Sequence, residues 1–157
     1  MSLDFAINGK VRDLADLKAT LRRLWFELYP RSGKSLVLDT SGFEHVMVGE
    51  FKSAGSVNGM HSWLSFYEKE QNGTLNYYGH TCSVHSNTVC AAFEWDGRIK
   101  RKASLFLRTS PAYDIAIYSL CFILYPGGMC PIVVDGTAMV IRTYSKDGHI
   151  ATAFVVE

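Results

Sequence analysis

Near the start of the chain the apolar positions fall at helical spacing. Leu14, Leu17, Leu21, Leu24, Trp25 and Leu28 recur every three or four residues between Val11 and Tyr29. They form one stripe of an amphipathic helix that Pro30 ends. The stripe is too short for a coiled-coil seam and predicts docking on the core of its own domain. The period then shortens. The runs "SLVLD" and "GFEHVMVGE" read as strands separated by the turn signal "DTSG". The stretch "VNGMHSWLSFYEKEQNG" returns to helical spacing. It puts Met60, Trp63, Leu64 and Tyr67 on one face and Gly73 past the C-terminus, with His61 on the helix.

The next segments, "TLNYYGH", "TVCAAFEW" and "IKRKASLFLR", are β-rich, and a "DG" pair joins the last two as a tight hairpin. "SPAYDIAIYSLCFILYPGG" predicts a helix with Ser110 as N-cap and Pro111 at its first position. Its nearly all-round apolarity predicts burial. Three further strands close the chain: "PIVVDG", "TAMVIRTYS" and "HIATAFVVE", the last pair joined through "KDG". The pattern predicts one α+β domain over residues 1–157 with mainly antiparallel sheets. Residues 1–30 supply the amphipathic helix packed on it.

Composition adds exclusions. A chain of 157 residues, 48% apolar and 20% charged, is neither disordered nor membrane-spanning in character. A net charge of +1 makes no global case for nucleic acid, so any such case is local. "MSLDFAINGK" has no basic n-region and no apolar h-region, so no secretory leader is read there. The four cysteines, Cys82, Cys90, Cys121 and Cys130, show no CxxC pairing and are too few for a disulfide scaffold. They are read as reduced. A cytoplasmic location is expected, with secretion as the alternative.

Candidate chemistry is local. On a straight strand His45 would share a face with Phe43 and Met47, while Glu44 and Glu50 face the other way. A histidine among apolar neighbours is more often a packed residue than a catalytic one, and no HExxH spacing links His45 to His61. "GHTCSVHSNTVC" holds His80, Cys82, His85 and Cys90, but the spacing fits no common zinc pattern, and a surface loop is the better reading. In "RIKRKAS", Lys100, Lys102 and Ser104 have one parity and project from one face of a strand. The default for so basic a run is a solvated edge. The alternative is a cation holding a phosphate beside a hydroxyl that bonds a base. In the last strand, Thr152 and Phe154 stand two residues apart, as a hydroxyl and a ring gripping one nucleotide would.

Taken in order, "SGFEHVMVGE", "NGMHSWLSFYEKEQNGTLNYYG", "FEWDGRIKRKASLFLRTSP", "IAIYSLCFI" and "HIATAF" resemble the catalytic domain of the EndoU family. These are uridylate-specific endoribonucleases related to the coronavirus uridylate-specific nuclease. The resemblance runs from about Trp25 to Val156. It implies two antiparallel sheets flanking a groove, and cleavage of single-stranded RNA at uridines by attack of the 2′-hydroxyl, leaving a 2′,3′-cyclic phosphate. It implies His45, His61 and Lys100 as catalytic residues, with His61 as base and His45 as acid. It also implies Ser104 at the uracil and Thr152 and Phe154 around ribose and base. Glu44 and Glu50 match glutamates tied to activity, through Mn²⁺ or by supporting the structure. The expected partner is uridine-containing single-stranded RNA, bound by a monomer, with no membrane and no organic cofactor.

Two alternatives stand beside this reading: a non-catalytic RNA-binding module of the same fold, and a metal-dependent phosphodiesterase using Glu44, Glu50 and the histidines. Three departures from the family pattern are visible. Phe154 stands where tyrosine is frequent, which loses a hydroxyl at the base. Arg108 replaces a glycine, and Ala112 replaces a glutamate. Of the large helical region preceding the domain in animal members, only the Val11–Tyr29 helix is present, as in a compact form or a fragment.

Overall fold

The computed structural model describes residues 10–32, 36–51, 55–82 and 87–156. Helix α1, Leu14–Phe26, starts where the Asp13 side chain accepts the Asp16 N–H. It sinks Leu24 and Trp25 into the core, while Leu14 and Leu28, at the two ends of the stripe, are exposed. Strands β1, Glu50–Phe51, and β2, Val57–Asn58, form a short antiparallel ribbon ahead of α2, Trp63–Gln71. Strands β3, Leu75–His80, β4, Thr88–Trp95, and β5, Arg98–Phe106, make one antiparallel sheet. Helix α3, Pro111–Leu124, is capped by Ser110 accepting the Tyr113 N–H. Strands β6, Met129–Val134, β7, Thr137–Lys146, and β8, His149–Val156, make the second sheet. The Asp96–Gly97 turn between β4 and β5 has φ of +47° and +73°, the geometry its sequence calls for. Arg108 sits at φ +62°, which accounts for the glycine that the family pattern expects there.

Four expectations are corrected. "SLVLD" forms no strand in its described part: only Thr40 beyond it bridges, to Tyr29, and Leu36 is 97% exposed. Alternation alone does not specify a strand; a ladder with a neighbouring strand does. "GFEHVMVGE" is helical, with a π-helical segment over Glu44–Val48, so the strand faces assigned to His45, Glu44 and Glu50 do not exist. The overlooked signal is Ser41-x-x-Glu44, where the Ser41 hydroxyl accepts the Glu44 N–H at 3.2 Å and donates to its carboxylate at 3.1 Å. His61 precedes α2 by two residues, before the N-cap Ser62.

The cysteines are also paired, Cys82 with Cys90 and Cys121 with Cys130, at Cα separations of 5.4 and 5.5 Å. Each pair spans a chain reversal, which no CxxC search detects. Pairing consumes the two thiols of the candidate zinc cluster, and His85 of that cluster lies outside the described residues.

Apolar side chains gather in two clusters. One joins α1, the π-helical segment, the end of β5, α3 and the β6–β8 sheet through residues such as Trp25, Val46, Phe106 and Ile141. The other joins β2, Met60 and the β3–β5 sheet. The seam between them is stitched by backbone. A π-turn bonds Gly49 N–H to the Glu44 carbonyl at 2.8 Å, where an α-helix would have used His45. The carbonyls of His45 and Val46 instead accept from Met60 N–H, at 2.9 Å, and His61 N–H, at 2.6 Å. Residue 59 must then pass so close that a Cβ there would lie 1.9 Å from the His45 carbonyl oxygen, at a φ of +66°.

Gly59→Ala is therefore expected to cost more than about 3 kcal/mol, combining left-handed strain with the clash. Gly97→Ala, at φ +73° with nothing within 4 Å of the added atom, carries the backbone strain alone, roughly 1–2 kcal/mol. Urea midpoints of the two variants measure the difference. Equal losses would show that the close approach at Gly59 is not a constraint.

Candidate active site

The seam opens between β5 and β8 into a cavity of about 330 Å³. His45, His61, Lys100, Ser104, Thr152 and Phe154 all line it, with Asn58, Gly59 and Lys102 beside them. Residues more than a hundred positions apart thus face one small volume. Glu44 and Glu50 are not part of its lining.

His61 is buried, and its Nδ1 lies 3.0 Å from the Ser104 carbonyl. A carbonyl can only accept, so Nδ1 carries the proton and Nε2 keeps its lone pair. The Phe154 ring stacks on the imidazole at 5.1 Å between centroids. Burial, then the Lys100 charge, push the His61 pKa down to about 3. It is a neutral imidazole throughout the neutral range.

His45 is also buried, with Nδ1 2.8 Å from Glu50 Oε2. Burial lowers its pKa as well, but here the Glu50 carboxylate pulls the other way, while Arg31 and Lys100 add to the lowering. Arg31 Nη2 meets the same ring nitrogen, and Arg31 Nε lies 3.6 Å from Glu50 Oε2. The second Glu50 oxygen accepts from Thr40 Oγ1. Of the two imidazoles, His45 is the one with an anionic partner for its protonated form.

On the facing strand, Thr152 Oγ1 is buried without a hydrogen-bond partner. The residue itself forms part of the cavity wall. The arrangement offers a free imidazole lone pair, a second imidazole with a carboxylate behind it, an ammonium group, a hydroxyl and a ring.

The profile of the family described as Endoribonuclease XendoU matches residues 5–155. The chain belongs to that family. It is 38% identical over 148 residues to the human "Uridylate-specific endoribonuclease", covering 87% of this chain and 35% of that protein. The chain thus spans about a third of the length of that curated relative. The solved structure titled "The structure of XendoU: a splicing independent snoRNA processing endoribonuclease" superposes with a TM-score of 0.76 at 28% identity. That match covers 95% of this chain and 58% of the other. Endoribonuclease Nsp15 of Middle East Respiratory Syndrome Coronavirus shares the fold, at a TM-score of 0.57 and 20% identity, over 73% of this chain and 33% of its own.

Within this XendoU-family site, Glu44 and Glu50 do not make a metal-binding pair. Glu44 takes the Ser41 hydroxyl, and both Glu50 oxygens are engaged, one of them beside the Arg31 guanidinium. A divalent cation at Glu50 would have to displace a positive charge. Among the described residues no three His, Cys, Asp or Glu side chains gather as ligands. The carboxylate of Glu50 is engaged by His45, Thr40 and Arg31.

Arg31 is the residue that sequence reasoning missed. It also donates to Tyr29 Oη and to the Ala151 carbonyl, both at 2.8 Å, and so ties the His45 wall to β8. It follows Pro30 in a turn, and nothing in its neighbourhood of the sequence marks it.

Because Glu50 favours the protonated form of His45, Glu50→Gln leaves burial and two cations acting unopposed. The His45 titration midpoint is expected to move to lower pH in that variant and to stay put in Glu44→Gln. Histidine ring signals followed by NMR across pH report both. An unmoved midpoint in Glu50→Gln would show that the carboxylate does not tune this ring.

Proposed function

We propose that this domain cuts single-stranded RNA on the 3′ side of uridines by transesterification. The uridine 2′-oxygen bonds to the adjacent phosphorus, the P–O5′ bond to the next nucleotide breaks, and a 2′,3′-cyclic phosphate remains. The observation that carries the reading is the convergence of His45, His61 and Lys100 on one cavity. His61 is held with Nε2 unprotonated, which suits a base accepting the 2′-hydroxyl proton. His45, backed by Glu50, suits an acid delivering a proton to the departing 5′-oxygen. Lys100 lowers both imidazole pKa values in the free protein. An arriving phosphate offsets that charge and raises the protonated share of His45. As charge builds on the phosphorane, Lys100 stabilises it electrostatically.

Ser104 stands for the uracil contact, Thr152 for the ribose with its unmatched hydroxyl, and Phe154 for packing, with one face already given to His61. Phenylalanine supplies no hydroxyl here, so base choice rests on Ser104 and neighbouring backbone. The relatives carry uridylate-specific endoribonuclease as their name, which supports the same assignment. Mn²⁺, where it stimulates, has no role in the proton transfers and no ligand set at Glu44 and Glu50. Among the described residues no helix is long and apolar enough to cross a membrane. The two disulfides favour an oxidising compartment over the cytoplasmic one.

The test is an oligodeoxynucleotide carrying one ribouridine. It should be cut only after that residue, with a cyclic phosphate on the product and with undiminished rate in chelator. His61→Ala and Lys100→Ala should each lose at least about a hundredfold while keeping the wild-type circular dichroism. Retardation of the oligonucleotide without cutting would identify a binding module. Loss of cutting in chelator, or cutting after deoxyuridine, would identify a metal phosphodiesterase.

A further inference from the structure

Lys102 is unclaimed by this mechanism, yet it lines the same cavity as Lys100 and Ser104. It lies two residues from each along β5, at most ~7 Å of strand on either side. The registers Phe93 with Lys100 and Ala91 with Ala103 show that β5 carries one extra residue against β4 just there. A bulge of this kind re-aims side chains and is frequent beside active sites. The bland account, a solvated cation guarding a strand edge, explains a lysine on β5 but not one on the wall of the cavity.

Given the proposed function, on which this inference rests, the order of groups along β5 has a direct meaning. Lys100 marks the scissile phosphate and Ser104 marks the uracil. Lys102 lies between them, on the uridine side of the scissile linkage and away from the departing nucleotide. The anion that single-stranded RNA presents on that side, about one nucleotide step from the first, is the phosphate on the uridine 5′-oxygen. We infer that Lys102 holds this 5′-phosphate. A lysine suits the task because its ammonium acts as a point charge that needs no base identity. The site then spans two consecutive phosphates, and the enzyme prefers an internal uridine to one at a 5′ end.

The test compares two minimal substrates, UpA and its 5′-phosphorylated form pUpA, with wild-type protein, Lys102→Gln and Lys102→Arg. Wild type should favour pUpA by roughly tenfold in kcat/KM, the scale of one charge-assisted contact. Lys102→Gln should bring that ratio to within about twofold, and Lys102→Arg should restore most of it. The slope of log kcat/KM against log salt for pUpA should also fall by about 0.7 in Lys102→Gln, as expected for one lost single-strand phosphate contact. Retention of the tenfold ratio in Lys102→Gln overturns the inference. So does a wild-type ratio near one with UpA still cut, an outcome that leaves the proposed function standing. If neither dinucleotide is cut while the single-ribouridine oligonucleotide is, this inference fails and the proposed function stands; if the oligonucleotide is not cut either, both fail.

Discussion

The site depends on two carbonyl groups that a helix has given up. In an α-helical register the His45 carbonyl would be spent on Gly49 N–H, leaving only the Val46 carbonyl, free at the helix end, to offer. The π-turn moves that bond back to Glu44, and the His45 and Val46 carbonyls take the backbone of Met60 and His61 instead. A buried carbonyl must be paired, so the exchange is obligatory once the segment is in the core. It fixes the backbone of one histidine against the backbone of the other before any side chain is considered. Gly59 is the condition for it, since no other residue lets the chain pass the His45 carbonyl so closely.

Burial then sets the chemistry. Both imidazoles lie in the wall between two apolar clusters, where a proton is costly. The protein treats them unequally. His61 faces a carbonyl, which fixes the tautomer, while burial and the Lys100 charge keep the ring neutral. His45 faces a carboxylate held by Thr40 and Arg31, which recovers part of the cost of a protonated ring. Two identical side chains acquire different surroundings from their second neighbours, and the base and acid roles proposed above rest on that difference.

The cavity is closed from the other side by β8, whose Phe154 stacks on His61 and whose backbone carbonyls anchor Arg31 and Tyr29. The two sheets are thus joined at the site itself, and the groove lies where they meet. Disulfides at Cys82–Cys90 and Cys121–Cys130 tie down two chain reversals, one of them in the sheet that carries Lys100 and Ser104.

Much of this was legible in the residues. The α1 stripe, the Ser110–Pro111 helix start, the Asp-Gly turns and all six long strands carry local signals, and local signals survive folding when burial agrees with them. The motif residues His45, His61, Lys100, Ser104, Thr152 and Phe154 could be named through the resemblance to the EndoU pattern, whereas spacing alone favoured packed or solvated residues. What the chain could not disclose was tertiary. "GFEHVMVGE" alternates like a strand, and only the partners for its carbonyls decide that it is helical. Four cysteines without a motif pair because turns bring them together. Arg31 gains its role from a carboxylate nineteen residues away that local sequence does not connect to it. Local periodicity determines which elements can form. The demand that every buried polar group find a partner determines which ones do, and which side chains they leave facing the cavity.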